Sequence, residues 1–517
     1  MTAPGPKRSG PALLLPCALF VLAILLVLIA RIRLLETPLE RDEGEYAYIG
    51  QLMLEGLPPY GQLAATQKLP GTSAAYAVVM AIFGQTIVGI HIGLLLVNAG
   101  AIALTFFLGR RLFGVPAGLA ASALYAVLSV DPNVSGIWAH ATHFVILPAL
   151  GGTLLLLRGK GSGTMIASGL LFGLALLMKQ PGFVFIVFGA IYVLRSGRLK
   201  SALLFLGAAA LPYAMTCLIL WRAGVFDRFW FWTVSYARQY GSQVTLSAAP
   251  GVLLDSAKEV LEVAWGLWLL AGAGLILLWR SYKEHRWEAI FTTVFLVFSF
   301  LAVCPGFYFR GHYFVLMLPA VALLAGAGVA CGPGKLMPWL AAAVVLATIG
   351  WQGRLFFVDT PLQVVRDAYG DDPFPEAIEV SRYIRDHTAK DARIVVLGNE
   401  PEIYFYAKRR SVTPYLYTYP MGEAHPFALR MQEEMIHDIE SSEVEYVVED
   451  PALLWSWLDA PESHAPLYEW WKDYGPRHFE LAGIVDIGMD QTVYRWGAAA
   501  VGYKPKASRY LEVYKRR

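Results

Sequence analysis

Long apolar runs, broken by short basic loops, govern the first two thirds of the chain. They lie at roughly 12 to 30, 86 to 108, 116 to 131, 141 to 157, 163 to 179, 181 to 195, 201 to 221, 260 to 279, 287 to 304, 312 to 330 and 337 to 352. A bilayer core takes about 20 apolar residues of helix, fewer where protein covers the site, so the pattern predicts about eleven membrane helices. One set of loops holds the cations: Lys7 and Arg8, Arg110 and Arg111, Arg158 and Lys160, Arg195, Arg198 and Lys200, Arg280, Lys283 and Arg286, and Lys335. The positive-inside rule puts that set and the N-terminus in the cytoplasm. The loop at 39 to 70, the loop at 222 to 259 and everything after 352 then lie outside, which implies a multi-pass protein of the plasma (inner) membrane with a periplasmic or other extracytoplasmic C-terminal part. Pro11 to Ala30 has the basic flank of a signal peptide, but its length and the lack of a small-residue cleavage site predict a retained helix.

After Arg354 the pattern changes to that of a water-soluble domain. Pro375 to His387 reads as a helix, Arg393 to Leu397 as a strand, Pro401 to Lys408 as a helix and Glu445 to Val448 as a buried strand, with further strands at 478 to 486 and 490 to 495. Alternating elements imply a small α/β domain. The expected architecture is a membrane all-α multi-span bundle over 1–352, with an exterior loop at 32–71, and an exterior α/β domain over 353–517.

Composition narrows the class. The chain is 56% hydrophobic and 16% charged with a mean hydropathy of +0.49, values that a soluble protein of 517 residues could not sustain. A net charge of +2 spread over short loops lacks the dense basic face of a nucleic-acid binder. Cys17, Cys217, Cys304 and Cys331 lie in or beside apolar runs without a CxxC pair, so neither a disulfide framework nor a thiolate metal site is indicated. No internal repeat is visible.

The most acidic stretch of the loops is Leu39 to Pro59, LERDEGEYAYIGQLMLEGLPP. Tyr46, Ile49, Gly50, Met53, Leu54 and Leu57 recur at helical spacing and leave Glu45, Gln51 and Glu55 off the stripe, which predicts an interfacial helix over 43–56. Asp42 followed by Glu45 has the spacing of an N-cap and its reciprocal partner, a structural use of the acids worth about 1 kcal/mol. Gly56 and Pro58 end the helix.

RDEGEYAYIGQLMLEG, then Lys68-Leu69-Pro70-Gly71, an apolar helix and LGRRLFG at 108 to 114 together resemble the start of the bacterial polyprenyl-phosphate-sugar glycosyltransferases. Those are grouped with the protein O-mannosyltransferases, the aminoarabinose transferase of lipid A and the galacturonic-acid transferases of the lipopolysaccharide core. Leu177 to Pro181 (LMKQP) is similar to the family's KQP segment, Arg310 to Phe314 (RGHYF) to its HYF helix, and GNEPEIYFYAKRR to its exterior domain. The likeness covers most of 35 to 420. It implies the GT-C fold, with the active site on the outer face. Many relatives have an acid in a segment like ANAEHF, where this chain reads Ala139-His140-Ala141-Thr142-His143-Phe144. Thr142 at the acid's place puts a second carboxylate or metal role there in doubt.

The resemblance implies a donor carried on a polyprenyl phosphate and an acceptor that is a lipid, lipid A, lipopolysaccharide core, another envelope glycan or protein. A phosphate leaving group is already ionised and needs no general acid, in contrast to the carboxyl pair of a glycosidase. Asp42 is then the base and Glu43 the neighbour that positions acceptor or base. Lys68, Lys179, Arg310 and His312 are candidates for the donor phosphate, and Tyr46, His140 and His143 for acceptor or sugar contacts. Each has a plainer reading: Lys179 as a snorkelling side chain, Arg310 and His312 as interface anchors beside Tyr308 and Tyr313, and the rings at 222 to 259 as an aromatic belt. His140 and His143, spaced i and i+3, also form a candidate pair for a divalent metal, although two histidines without a third ligand do not establish a site. A transporter or lipid flippase is the competing class; it predicts repeated halves and charges at mid-membrane, whereas most acids here lie in loops.

Overall fold

The computed structural model describes residues 13–159, 161–195, 199–334, 336–452, 465–489 and 491–517. Lys7, Arg8, Lys160, Arg198 and Lys335 of the orientation argument lie outside the described residues. The chain folds into two compact units, one of residues 1–35, 91–218 and 240–360, the other of 36–90, 219–239 and 361–517.

Among the described residues the secondary structure of the first unit is all helical. All eleven apolar runs form helices, the longest being Leu14–Arg33, Ile87–Phe113, Ala141–Arg158, Leu199–Arg222 and Tyr282–Val303. Those five are long and apolar enough to cross a membrane. A sixth joins them if Ala249–Glu262 and Trp265–Arg280, bent by 106°, count as one span; the remaining apolar helices are 10–17 residues long. Leu318–Cys331 is the most enclosed, with every residue from Leu318 to Val329 buried. It packs against Val115–Leu128 and Trp265–Arg280. The approach is close because Gly274 has no side chain: a Cβ there would overlap the Leu324 carbonyl. Small residues serve this purpose in membrane bundles, where dispersion replaces the hydrophobic effect as the force between helices. Leu14, Leu22, Ile29 and Leu203 are exposed on outward faces, as residues solvated by lipid are.

The second unit is built on a six-stranded sheet. Its strands are β1 Arg393–Leu397, β2 Arg410–Ser411, β3 Val444–Glu449, β4 Phe479–Ile487, β5 Thr492–Trp496 and β6 Tyr510–Arg516, in the order β2-β1-β3-β6-β4-β5. β1 is parallel to β2 and β3, and the other neighbours are antiparallel. β1 is the continuous apolar run expected of a buried parallel strand. Helix Phe374–Asp386 faces helix Glu402–Ala407 beside it. β6, which the sequence reading left out, occupies an inner position of the sheet. Leu511 and Val513 alternate into the core while Lys515 is exposed, so its signal is a two-residue alternation at a basic chain end.

The acidic helix belongs to this unit and runs over Arg41–Leu54. It is not a helix with one wet face: Glu43 through Leu52 are all buried, including Glu45 and Gln51. It packs on helix Gly71–Phe83 and on Glu402–Ala407, with Tyr48 stacked on Tyr404 at 5.1 Å and the Tyr48 hydroxyl accepting the Ser411 N–H at 2.9 Å. The contact passes through Gly44, where a Cβ would lie 2.6 Å from the Glu402 nitrogen and 2.8 Å from its Cα. Gly44→Ala therefore sets about 1 kcal/mol of helix propensity against overpacking of about 1–3 kcal/mol on rigid backbone. A net loss of stability is expected, read as a lower midpoint in thermal unfolding of the full chain.

Candidate active site

The helix cap differs from the expected one, and the difference matters for the chemistry. Glu40, not Asp42, is the N-cap: its backbone is extended (φ −85°, ψ 174°), its carboxylate accepts the Glu43 N–H at 2.8 Å, and the Glu43 carboxylate accepts the Glu40 N–H at 3.3 Å. The capping box is thus two residues earlier than Asp42 and Glu45 would place it. The cause is tertiary. The Leu39 N–H donates to the Tyr406 hydroxyl at 2.9 Å, which fixes the extended chain just ahead of Glu40. Glu43, fully buried, holds the helix start. Asp42 and Glu45 are left for another partner.

That partner is Lys68. Its ammonium pairs with Asp42 at 2.7 Å and with Glu45, and lies 4.6 Å from the centre of the Tyr46 ring. The Tyr417 hydroxyl donates to Glu45 at 2.7 Å. Burial opposes the charge on Lys68, but Asp42 and then Glu45 outweigh it and hold its pKa well above the ordinary lysine value. Asp42 and Glu45 are not equivalent. The side chain of Asp42 is 21% exposed and that of Glu45 is 0% exposed, so Asp42 is the carboxylate a substrate can reach.

A second network braces the start of the same helix. Arg41 donates to the Asn399 carbonyl at 3.2 Å and lies 3.6 Å from Asp372; Arg509 reaches Asp450 at 2.6 Å, Glu400 at 3.4 Å and Asp372 at 3.7 Å. These groups gather at the carboxyl ends of β1 and β3, where open α/β sheets bind ligands. Here the edge is filled from within: the Asn399 side-chain oxygen accepts the N–H groups of Thr418 and Tyr419. Burial, with Asp450 adding to it, pushes the Glu400 pKa up to about 8 against the pull of Arg509 and Arg41. Burial likewise raises Glu449 to about 7, opposed by the Trp471 indole N–H at 2.7 Å.

The sign of the resulting pH dependence is definite. Between the unfolded carboxyl value, about 4.3, and these raised values the folded chain holds protons that the unfolded chain releases. Stability therefore falls as pH rises from about 5 to about 8, by at most about 1.4 kcal/mol per pH unit for each group. Thermal unfolding of the full chain should give a lower midpoint at pH 8 than at pH 5.5, with a shallower slope in Glu400→Gln. A midpoint that rises over that interval means the carboxyls fold ionised.

In the first unit three of the sequence-derived candidates, Lys179, His312 and His140, come together around Tyr313. Lys179 follows helix Ser162–Met178 in extended conformation, and its ammonium lies 4.2 Å from the centre of the Tyr313 ring. Tyr313 meets His312 edge-on at 4.7 Å, and His312 stacks on His140 at 4.2 Å with the planes 7° apart. Arg310 lies 5.2 Å from the Tyr308 ring, whose hydroxyl donates to the Tyr240 carbonyl at 2.8 Å. Phe307 and Phe309, on either side of Tyr308, both have positive φ (55° and 45°), a strained backbone for bulky residues of the kind that gathers at functional sites.

His140 and His143 do not share a helix face. The helix begins at Ala141, and His140 precedes it with φ −58° and ψ 149°. His143 is inside and buried, and neither ring nitrogen has a hydrogen-bond partner among the described residues. The pair able to offer imidazole ligands together is His140 with His312. Thr142 is buried with its hydroxyl also lacking a partner among the described residues.

Sequence reasoning missed Glu45 and Tyr417 in one cluster and Tyr313 in the other. Glu45 was visible as an acid off the apolar stripe. Tyr417 lies 372 positions from Glu45 and left no local signal.

The profile of the family described as dolichyl-phosphate-mannose-protein mannosyltransferase matches residues 67–221. No curated protein matches the sequence. Among solved structures, ArnT from Cupriavidus metallidurans bound to undecaprenyl phosphate aligns over 96% of this chain and 97% of its own, with a TM-score of 0.60 at 14% identity. The Archaeoglobus fulgidus oligosaccharyltransferase tethered with an acceptor peptide aligns over 93% of this chain and 74% of its own (TM-score 0.51, 12% identity). The arabinofuranosyltransferase AftD from Mycobacteria aligns over 96% of this chain and 39% of its own (TM-score 0.53, 13% identity). An apolar helical bundle, a sheet-containing unit and an architecture shared with three glycosyltransferases over more than nine tenths of its length give this membrane protein the GT-C fold.

Proposed function

We propose that the chain is an inverting glycosyltransferase that moves a sugar from a polyprenyl-phosphate donor to an extracytoplasmic acceptor, with 353–517 on the outer side of the plasma membrane. The observation that carries this reading is the pairing of a reachable Asp42, on a helix whose cap is supplied by other residues, with a half-buried Lys68. The matched mannosyltransferase profile and the undecaprenyl phosphate bound by ArnT support the donor class.

In the reaction, the acceptor oxygen attacks the anomeric carbon as the bond to the donor phosphate breaks. The acceptor proton passes to Asp42, and the phosphate leaves with its charge already in place. Lys68 keeps Asp42 ionised, and Glu43 holds the helix that carries it. Lys68, a phosphate candidate from the sequence, is engaged by Asp42 and Glu45, so Lys179, Arg310 and His312 are left to bind the donor phosphate, the arginine through its fork of N–H donors. Tyr46 against the Lys68 ammonium and His140 stacked on His312 are buried and position those two groups toward sugar or acceptor, while His143 is enclosed. These roles need no cofactor; a divalent cation held by His140 and His312 would add positive charge to the phosphate-binding set.

The test is transfer of labelled sugar from synthetic polyprenyl-phosphate sugars by the purified chain in proteoliposomes containing an envelope extract as acceptor. Label should pass from the carrier into the extract. Movement of intact labelled carrier between leaflets, with no transfer from any donor, would instead identify a flippase.

A further inference from the structure

The second unit contains a hollow of about 800 Å³ that the chemistry above does not use. Its size falls within the range of small-molecule sites, about 300–1,000 Å³. One wall is aromatic. Phe231 and Trp232 open a six-residue π-helix, Phe231–Tyr236, a rare conformation that recurs at functional sites. Phe231 meets Phe427 edge-on at 5.0 Å, and Trp232 meets Tyr415 at 5.9 Å. The polar wall is balanced in sign: Arg228, Arg393 and Arg430 face Asp227, Glu434 and Asp438, with Arg430 and Glu434 paired at 2.8 Å and the Tyr415 hydroxyl donating to Glu434.

Arg393 also lines a second hollow, of about 310 Å³, with a different character. Five cations, Lys390, Arg393, Lys408, Arg409 and Arg410, face two carboxylates, Asp391 and Glu55. Two of the five are already engaged. Arg409 is buried and donates to the carbonyls of Ala407, Lys408, Arg385 and Thr388, and Arg410 pairs with Glu55 at 2.8 Å. Lys390, Arg393 and Lys408 are exposed and hold no ion pair among the described residues.

We propose that the two hollows form one acceptor groove for an acidic saccharide, with sugar rings against the aromatic wall and a phosphate or carboxylate substituent on Lys390, Arg393 and Lys408. The C–H faces of a sugar are apolar and stack on aromatic faces, while its hydroxyls need donors and acceptors of both kinds along their edge, as the balanced wall supplies. The basic hollow adds three cations suited to an anionic oxygen cluster. This rests on the transferase reading and supplies the acceptor class that the reading leaves open.

The groove is tested by binding alone, so its fate is separable from that of the transferase activity. The full chain, in nanodiscs of neutral phosphatidylcholine, is titrated with trehalose 6-phosphate and with trehalose, read by saturation-transfer NMR. The phosphorylated sugar should bind about tenfold more tightly, the worth of one charge-assisted contact of about 1.4 kcal/mol. Lys390→Glu/Lys408→Glu, both on the surface, should remove that preference, and Phe231→Ala should weaken both sugars, with thermal unfolding confirming a folded chain. Equal affinity for the two sugars, no saturation of either, or a preference unchanged in the lysine variant overturns the proposal. So does loss of trehalose 6-phosphate binding in nanodiscs doped with phosphatidylglycerol, which would assign the cations to lipid headgroups. Binding without transfer would overturn the transferase reading and leave the groove.

Discussion

Asp42→Asn should lower sugar transfer by about 10²- to 10⁴-fold while the chain keeps its fold and its affinity for the donor. The fold should survive because the helix start does not depend on this residue: Glu40 and Glu43 form the capping box, and Asp42 sits within the first turn with its carboxylate on Lys68. Asparagine fills the same volume and still accepts from the lysine, but it cannot take a proton from an acceptor hydroxyl. The loss should therefore fall on kcat, with donor KM nearly unchanged, as when an interaction made only in the transition state is removed. Single-turnover transfer in proteoliposomes measures the step directly. Turnover within about threefold of wild type would remove Asp42 from the chemistry, since a general base contributes far more than that. Glu45→Gln provides the contrast. Glu45 is fully enclosed and cannot meet an acceptor, so its loss should act only through Lys68 and be the milder of the two.

How legible the protein is in its sequence depends on the distance over which each feature is decided. The helices of the bundle were legible because long apolar runs have few other uses in a chain of this composition, and all eleven runs are helical, although only five or six of the described helices are long enough to cross a bilayer. Strand β1 was legible for a similar reason: RIVVL is apolar on both faces, as a buried parallel strand must be. β6 was not, because YLEVYKR mixes charge into its alternation and has meaning only between β3 and β4. The site divides in the same way. Asp42, Lys68 and Tyr46 could be singled out from one short stretch, and the structure puts them in contact. The cap could not be placed, since local preference favours aspartate and the deciding contact is the Tyr406 hydroxyl on the Leu39 N–H, 367 positions away. Glu45 looked like a surface acid because a helical stripe shows one buried face, whereas this helix is buried all round.

Lys68→Met should shift the pH dependence of transfer toward the alkaline side and cost more stability than any other change considered. Lys68 lies between two carboxylates, one of them fully enclosed. Removing the ammonium leaves like charges that do not ionise together readily, so one proton is retained by the pair and the base becomes available only at higher pH. The acid limb of the kcat profile should rise by at least about one pH unit, and the loss in rate should be far larger at pH 6 than at pH 9. Breaking a buried ion pair by deleting one partner typically costs about 3–5 kcal/mol, which a full-chain unfolding midpoint would register. In the wild type this contribution does not titrate near neutrality. The folded pKa of Lys68 is raised above its unfolded value, so the stabilisation is complete below the ordinary lysine range and is lost only as pH climbs through the folded value. Lys68→Met/Glu45→Gln separates position from charge: with the second carboxylate neutral, the acid limb should return toward that of wild type even though no lysine is present. A limb that stays where Lys68→Met put it would mean that Lys68 acts on the donor phosphate and not on Asp42.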